Sequence, residues 1–469
     1  MFIGREQERN TLEVLYEKKG FQMPVIYGRR RIGKTRLIRE FCSGKRVVFY
    51  TATQDEENRC LKDFTACIKE AEADNGILQL IETFPDWSAA FDFITGMAKE
   101  RLILVIDEYP YLAKSYPAIS SVLQKYIDSK WKDTELFLIL SGSSMSFMEN
   151  QVLGYESPLY GRRTAQIKLK KMDYYDSIKF FDGWTAEDRL YAYGACDGIP
   201  QYLEIFARWN SFREAVAHEF LMSSGGLIDE PELLLKEELR EPALYNSIIE
   251  AVANGANRNN EIADRVHKPA NTIAPYLKNL IALEILEKRN PVEETSAKKT
   301  IFVISDKLFY FWYHFIPKCR FQIAMGLQDE AYEKKILPHM PEYFAIVFEE
   351  VCLQYILRKT ANRSIPVIYD DYGKWWGNNP QEKRQEEIDL VAVSGERILT
   401  GECKWQAEKV GYAVFNTLVE RSRLIRNNRE ISYYLFSKAG FERKLAEAKE
   451  KNLTLVEVED MMGSLEKLP

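Results

Sequence analysis

Histidine is nearly absent: His218, His267, His314 and His339 are the four in a chain of 469 residues. They lie far apart in sequence, which argues against a zinc site. The seven cysteines stand singly, with no Cys-x-x-Cys and no metal-ligand spacing. Their odd number and dispersion fit a reducing compartment, so a cytoplasmic location is expected. No run approaches the ~20 apolar residues a membrane-spanning helix needs, and no membrane partner is expected. The opening MFIGREQERN has no apolar signal core. Low-complexity segments and internal repeats are missing. The net charge of -6 gives no global basic footprint, so a nucleic-acid surface has to be local. What remains is ordinary globular material, 46% apolar and 29% charged. The length suggests about three domains at ~150 residues each.

The most informative segment is Gly28, Arg29, Arg30, Arg31, Ile32, Gly33, Lys34 and Thr35, a complete G-x-x-x-x-G-K-[ST] phosphate-binding loop. Met23–Tyr27 leads in as a strand would, and Arg36–Phe41 leads out as a helix. The two glycines let backbone N–H groups turn onto phosphates, and the helix N-terminus adds its positive dipole end. Lys34 can reach the β- and γ-phosphates, and the Thr35 hydroxyl can ligate magnesium. ATP and Mg2+ are the expected cofactors.

Val25–Tyr27, Val47–Tyr50, Leu102–Ile106 and Leu136–Leu140 are short, nearly unbroken apolar runs, as in strands buried on both faces of a parallel sheet. The run at 102–106 ends in Asp107 and Glu108. Asp107 can hold the magnesium through water, and Glu108 can polarise the attacking water. The run at 136–140 ends in Ser141-Gly142-Ser143, where a γ-phosphate sensor belongs; serines capping the next helix are an equally good reading. Arg162 and Arg163 follow in a loop. They either stabilise transferring phosphate, in cis or across the boundary of a homo-oligomer formed on ATP binding, or are solvated surface charge.

The order Phe2-Ile3-Gly4-Arg5-Glu6, YGRRRIGKT, VIDEYPYL, LILSGSS, YGRRT and GIPQYL resembles the archaeal-type ATPases of the STAND group, AAA-like P-loop proteins, over about residues 1–205. That resemblance implies that Phe2–Glu6 lies near adenine. It also implies that Gly198-Ile199-Pro200 marks the helical module closing over the nucleotide, and that the protein is a slow ATP-driven switch.

Residues 243–292 resemble a winged helix-turn-helix. Its helices would be Ala243–Ala253, Asn260–Val266 and Ala270–Leu283, and its wing Glu284–Lys288 with Thr300–Ile304. The presumptive reading face, Asn271, Thr272, Lys278 and Asn279, is thin in positive charge, which favours packing or partner binding over DNA reading. The aromatic stretch Leu308–Tyr313 reads as core aromatics on a helix.

From about residue 342 the pattern changes again. A helix at Tyr343–Leu357 is followed by strands at Ile365–Tyr369, Glu387–Val393 and Arg397–Trp405. A helix at Tyr412–Arg426 and a strand at Ile431–Phe436 close the reading. Asp389 lies on one strand of a hairpin, and Glu402 and Lys404, two apart and so on one face, lie on the other. Two acids beside a lysine form a magnesium site with a cation at its edge, and Glu349 on the upstream helix can complete the shell. Glu-Ile-Asp and Glu-Cys-Lys resemble the PD-(D/E)xK nuclease core. Together with Lys374-Trp375-Trp376 they also resemble a C-terminal domain of unknown function fused to archaeal-type ATPases. Arg421, Arg423, Arg426 and Arg429 could track phosphates.

The expected fold class is α/β: a P-loop parallel sheet over 1–205 with a helical closing module from about 151, a helical and winged-helix domain over 206–305, an aromatic-rich segment over 306–341, and a restriction-endonuclease-like domain over 342–469. The expected function is an ATP-hydrolysing switch controlling a nuclease-like domain, with DNA as partner. The alternative is an ATP-dependent regulator with an inactive nuclease fold, acting through protein contacts or through winged-helix DNA binding.

Overall fold

The computed structural model describes residues 2–463 except 295, 297, 298, 366, 426–428 and 449. They fall into two compact units. One runs to Lys171 and takes in Ile199–Gln201; the other comprises Met172–Gly198 and the residues from Tyr202 onward.

The first unit is built on five strands, β1 (Pro24–Tyr27), β2 (Val47–Thr51), β3 (Leu102–Asp107), β4 (Leu136–Gly142) and β5 (Ala165–Lys168), in the order β2-β3-β4-β1-β5. Every pairing is parallel. All residues of β3 and β4 are buried, as their unbroken Leu/Ile/Val runs require of strands covered on both faces. Each such buried Leu or Ile contributes about 1.5–3 kcal/mol. Val25 pairs with Leu140 and Ile106 also pairs with Leu140, so the loop after β1 and the polar tips of β3 and β4 emerge side by side at one sheet end. β5 is a short, half-exposed strand without an apolar run, so the sequence pattern did not reveal it.

In the second unit, helices Pro242–Ala253, Asn259–Arg265 and Ala270–Ala282 precede an antiparallel pair, β6 (Leu286–Arg289) and β7 (Ile301–Ile304). These bounds lie within two residues of those expected. Helix Lys307–Ala324, capped by the Asp306 side chain, buries Phe309, Phe311, Trp312, Tyr313 and Phe315. The long helix Met340–Ala361 then packs on a mixed sheet of β8 (Asp371–Asn379), β9 (Arg384–Val393), β10 (Arg397–Lys404), β11 (Glu430–Ser437) and β12 (Leu453–Glu457), in the order β12-β11-β10-β9-β8. β8–β9 and β9–β10 are antiparallel; β10–β11 and β11–β12 are parallel.

The strand expected at Ile365–Tyr369 is a correction: Ile365 and Val367–Tyr369 are irregular, residue 366 lies outside the described residues, and β8 starts at Asp371. Ile368 is largely exposed, so its apolar run has no sheet to enter. The real strand was masked by glycine and asparagine in GKWWGNN and by a bulge between Gly373 and Trp375.

Val292, in the loop between β6 and β7, is buried in the apolar core of this sheet with Ile388, Val391 and Ile398. Its N–H donates to the Lys374 carbonyl at 2.9 Å, and the Arg429 guanidinium clasps Glu293 at 2.9 and 2.6 Å. The loop that a DNA-binding wing would present is thus seated on the edge strand β8. Asn271, Thr272, Lys278 and Asn279 are all exposed.

Candidate nucleotide site and C-terminal carboxylate cluster

β1 hands the chain to Gly28 at φ +155, where a Cβ would stand 2.5 Å from the Leu169 carbonyl oxygen; glycine is what lets the loop turn there. Gly33, at φ 90, opens helix Lys34–Cys42 and puts Lys34 and Thr35 in the first turn, where helix N–H groups have no internal partner. Lys34 is buried, and its Nζ donates to the carbonyls of Gly28 and Arg29 at 3.1 Å each. The Thr35 hydroxyl donates to Asp107 Oδ2 at 2.7 Å.

Asp107 Oδ1 accepts from the Ser141 hydroxyl and from the Glu108 N–H at 3.1 Å. Glu108 leaves the strand in a left-handed turn, φ 52, and its carboxylate accepts from the Ser143 hydroxyl at 2.8 Å and the Ser143 N–H at 3.2 Å. Each serine of the β4 tip therefore holds one acid of the β3 tip.

Arg5 donates to the Ile32 carbonyl at 3.2 Å, and Arg30 to the Tyr111 hydroxyl at 2.8 Å. Arg31 sits at φ 67 in the same loop. Pro200 opens helix Pro200–Phe206, and its Cγ lies 3.7 Å from where a Gly33 Cβ would be. Arg162 is not joined to the loop by any hydrogen bond among the described residues; it forks onto Asp128 at 2.8 and 2.6 Å. Arg163 is half-buried.

In the second unit, the β9–β10 register pairs Gly401 with Leu390, and one step further sets Asp389 opposite Glu402. Asp389 Oδ2 accepts the Cys403 N–H at 2.9 Å. Glu402 is 5% exposed; its Oε1 takes Lys404 Nζ at 2.6 Å and Arg421 at 3.5 Å, while its Oε2 is buried without a hydrogen-bond partner. Burial, then Asp389, push the Glu402 carboxyl up against the pull of Lys404 and Arg421.

Glu349 reaches the same neighbourhood from the long helix. Burial drives its carboxyl up to about 7; Lys374, paired with it, pulls the other way, and Asp389 adds to the rise. Among the described residues no group of three or more His, Cys, Asp or Glu side chains is arranged to hold a metal ion. Lys374 pairs with Glu349 and Glu387, and Lys404 and Arg421 pair with Glu402.

Of the arginines expected to track phosphate, Arg421 lies across Glu386 at 2.9 Å and Glu402, and Arg429 is committed to Glu293. Arg423 is exposed, and Arg426 lies outside the described residues. Arg421 and Lys374 as partners of the acids were missed as such. Their partners are far off in sequence, and only the run of arginines and the Lys-Trp-Trp block hinted at them.

A family model described as an ATPase domain predominantly from Archaea matches residues 2–206. Another, described as Archaea bacterial proteins of unknown function, matches residues 312–414. The uncharacterized protein MJECL04 of Methanocaldococcus jannaschii is 31% identical over 439 residues, covering 92% of this chain and 94% of that protein. The chain belongs to the archaeal-type ATPase family. It is a P-loop ATPase with a C-terminal domain of the family of unknown function. The uncharacterized ATP-binding protein MJ0423 of the same organism is 38% identical to this ATPase over 47 residues, 10% of this chain and 80% of that one. Among solved structures, the Walker-type ATPase PABY2304 of Pyrococcus abyssi superposes with a TM-score of 0.53 at 22% identity, over 66% of this ATPase and 96% of that chain, a likeness of fold. No helix among the described residues is long and apolar enough to cross a membrane.

Proposed function

We propose that this protein is an ATP-hydrolysing switch whose C-terminal sheet carries a nuclease-like, metal-dependent site directed at DNA. In the first unit, Thr35 and Asp107 already meet at 2.7 Å and offer the hard oxygen donors magnesium takes. Lys34 leaves the carbonyls of its own loop for the β- and γ-phosphates. Ser141 sets Asp107, and Glu108, once free of Ser143, polarises the attacking water. Arg162 or Arg163 serves the transferring phosphate only if it is drawn off its present position.

The C-terminal reading rests on one observation: Asp389 and Glu402 face each other across two hydrogen-bonded strands, with a buried, unpartnered Glu402 oxygen and Lys404 on the same face. A divalent ion bound there would polarise a phosphodiester and its attacking water. Glu402 would hold it once Lys404 swings aside, Asp389 would share it, and Glu349 would complete the shell by giving up Lys374.

A second reading is favoured by those same ion pairs. With Lys374, Lys404 and Arg421 balancing the acids, the sheet would be an inactive platform that signals through protein contacts. Incubation of supercoiled plasmid with the full chain and Mg2+ or Mn2+, with and without ATP, separates the two. Metal-dependent nicking that Asp389→Ala or Glu402→Ala abolishes supports the first reading. Intact plasmid under every condition supports the second.

A further inference from the structure

In the β6–β7 loop, Pro291–Glu294 is a tight turn closed by the Glu294 N–H on the Pro291 carbonyl at 3.0 Å, and Glu293 stands in it at φ 61. Glycine is the ordinary residue for that backbone shape, so a glutamate kept there points to a task for its side chain. That side chain is the one Arg429 clasps, and the Glu293 N–H donates to Asp371 Oδ2 at 3.0 Å. Against the turn lies Gly373, at φ +155, where a Cβ would stand 3.6 Å from Val292 Cγ2.

The residue these contacts surround is Lys374. β8 pairs Gly373 with Val391 and Trp375 with Ile388, so Lys374 alone stands against the two residues Asp389 and Leu390. A bulge of this kind disrupts the ladder and re-aims side chains. The Lys374 carbonyl takes the Val292 N–H at 2.9 Å. Its side chain bridges two acids, Glu349 on the long helix and Glu387 on β9, the latter at 2.9 Å. A divalent ion shared by Glu349 and Asp389 needs the oxygen that this ammonium engages, and the two cations repel each other. Glu402 Oε2, buried and without a hydrogen-bond partner, is by contrast left to an ion.

We propose that the β6–β7 loop regulates the C-terminal site by holding Lys374 on Glu349. With the loop seated, Lys374 blocks the Glu349 corner; with the loop lifted, Lys374 withdraws and a divalent ion enters. The regulation rests on the metal-site reading above and goes beyond it by naming the element that opens the site. The coupling is reciprocal: as lifting the loop favours the ion, the bound ion favours lifting the loop.

The test is Mn2+ binding by the full chain without nucleotide, followed through the free-ion signal in electron paramagnetic resonance. The Asp389→Ala chain serves as blank, so that Mn2+ held at the nucleotide site cancels. Lys374→Met removes the competing charge, and the Asp389-dependent Kd should fall about tenfold. Glu293→Gly keeps the turn, since glycine takes φ 61 unaided, and removes only the clasp. It should lower the Kd about threefold, the strength of one partly exposed ion pair. Arg429→Gln breaks the clasp from its other side and should do the same. In the Lys374→Met background Glu293→Gly should add nothing, because the loop acts through that lysine. Loosening of the fold would weaken binding instead. Mn2+ should also speed hydrogen exchange in the peptide that carries Val292.

An Asp389-dependent Kd that Glu293→Gly and Arg429→Gln leave unchanged or raise would overturn the regulation alone, with the metal site intact. So would an equal tightening in the Lys374→Met background, or exchange at Val292 that ignores Mn2+. No Asp389-dependent binding in any chain, Lys374→Met included, sinks the metal-site reading and the regulation with it.

Discussion

Lys34 and Glu108 separate binding from chemistry, and substitutions should show it. Lys34→Ala removes the cation that faces the phosphates, and titration with a fluorescent ATP analogue should show a large loss of affinity together with lost turnover. Glu108→Gln keeps the shape and the Ser143 contacts but cannot polarise water, so the analogue should bind as in wild type while hydrolysis falls at least about 100-fold. At this scale the nucleotide loop was legible because its chemistry is local: eight consecutive residues carry glycines, cation and hydroxyl together. The grip of Ser143 on Glu108 was not. Serines after a strand serve equally well as helix caps, and only the register of β3 against β4 decides which acid each serine meets.

Helix Lys307–Ala324 carries a titration that the acid limb of stability should report. His314 lies among Tyr310, Phe315 and Tyr343, and burial, then Lys318 and His339, lower its pKa from 6.5 to about 4, against the weaker pull of Glu342. Between those values the unfolded chain binds the proton and the folded chain does not. The contribution of His314 is therefore complete above about pH 6.5 and is lost as the pH falls toward 4. His314→Phe should flatten the urea-midpoint profile over that interval. The β6–β7 loop makes a second prediction. Val292→Ala should lower unfolding free energy by on the order of 1–2 kcal/mol, measured by urea titration, because it empties a slot in the sheet core. Elements with a clean period were readable, as the helices at 242–282 and the strands at 102–107 and 136–142 show. β5, β8 and β12 were not, since half-exposed strands with glycine, asparagine or charge lack an apolar signature. The seating of Val292 was invisible for a different reason: a lone valine between Pro291 and Glu293 says nothing of a sheet that begins at Asp371.

For the whole molecule, the open question is whether one chain completes its own nucleotide site. Arg162 is engaged with Asp128, so an arginine acting on phosphate would have to come from a rearranged loop or from a second copy. If a second copy supplies it, ATPase rate per chain should climb with protein concentration, and an Arg162→Ala, Arg163→Ala chain mixed with a Lys34→Ala chain should recover activity. A flat rate with no recovery on mixing would assign the site to a single chain.

The partition of the chain also sets an order of events during synthesis. Translation delivers roughly 5–20 residues per second. The five strands of the ATPase sheet are complete at Lys168, yet Pro200 arrives only after Met172–Gly198, a stretch that folds with the other unit. For roughly two to six seconds the nascent sheet therefore has its phosphate loop without the proline that packs on it. Val292 waits longer still for the strands that bury it. A ribosome paused in either interval would display a nucleotide loop, and then a wing, that no finished molecule shows.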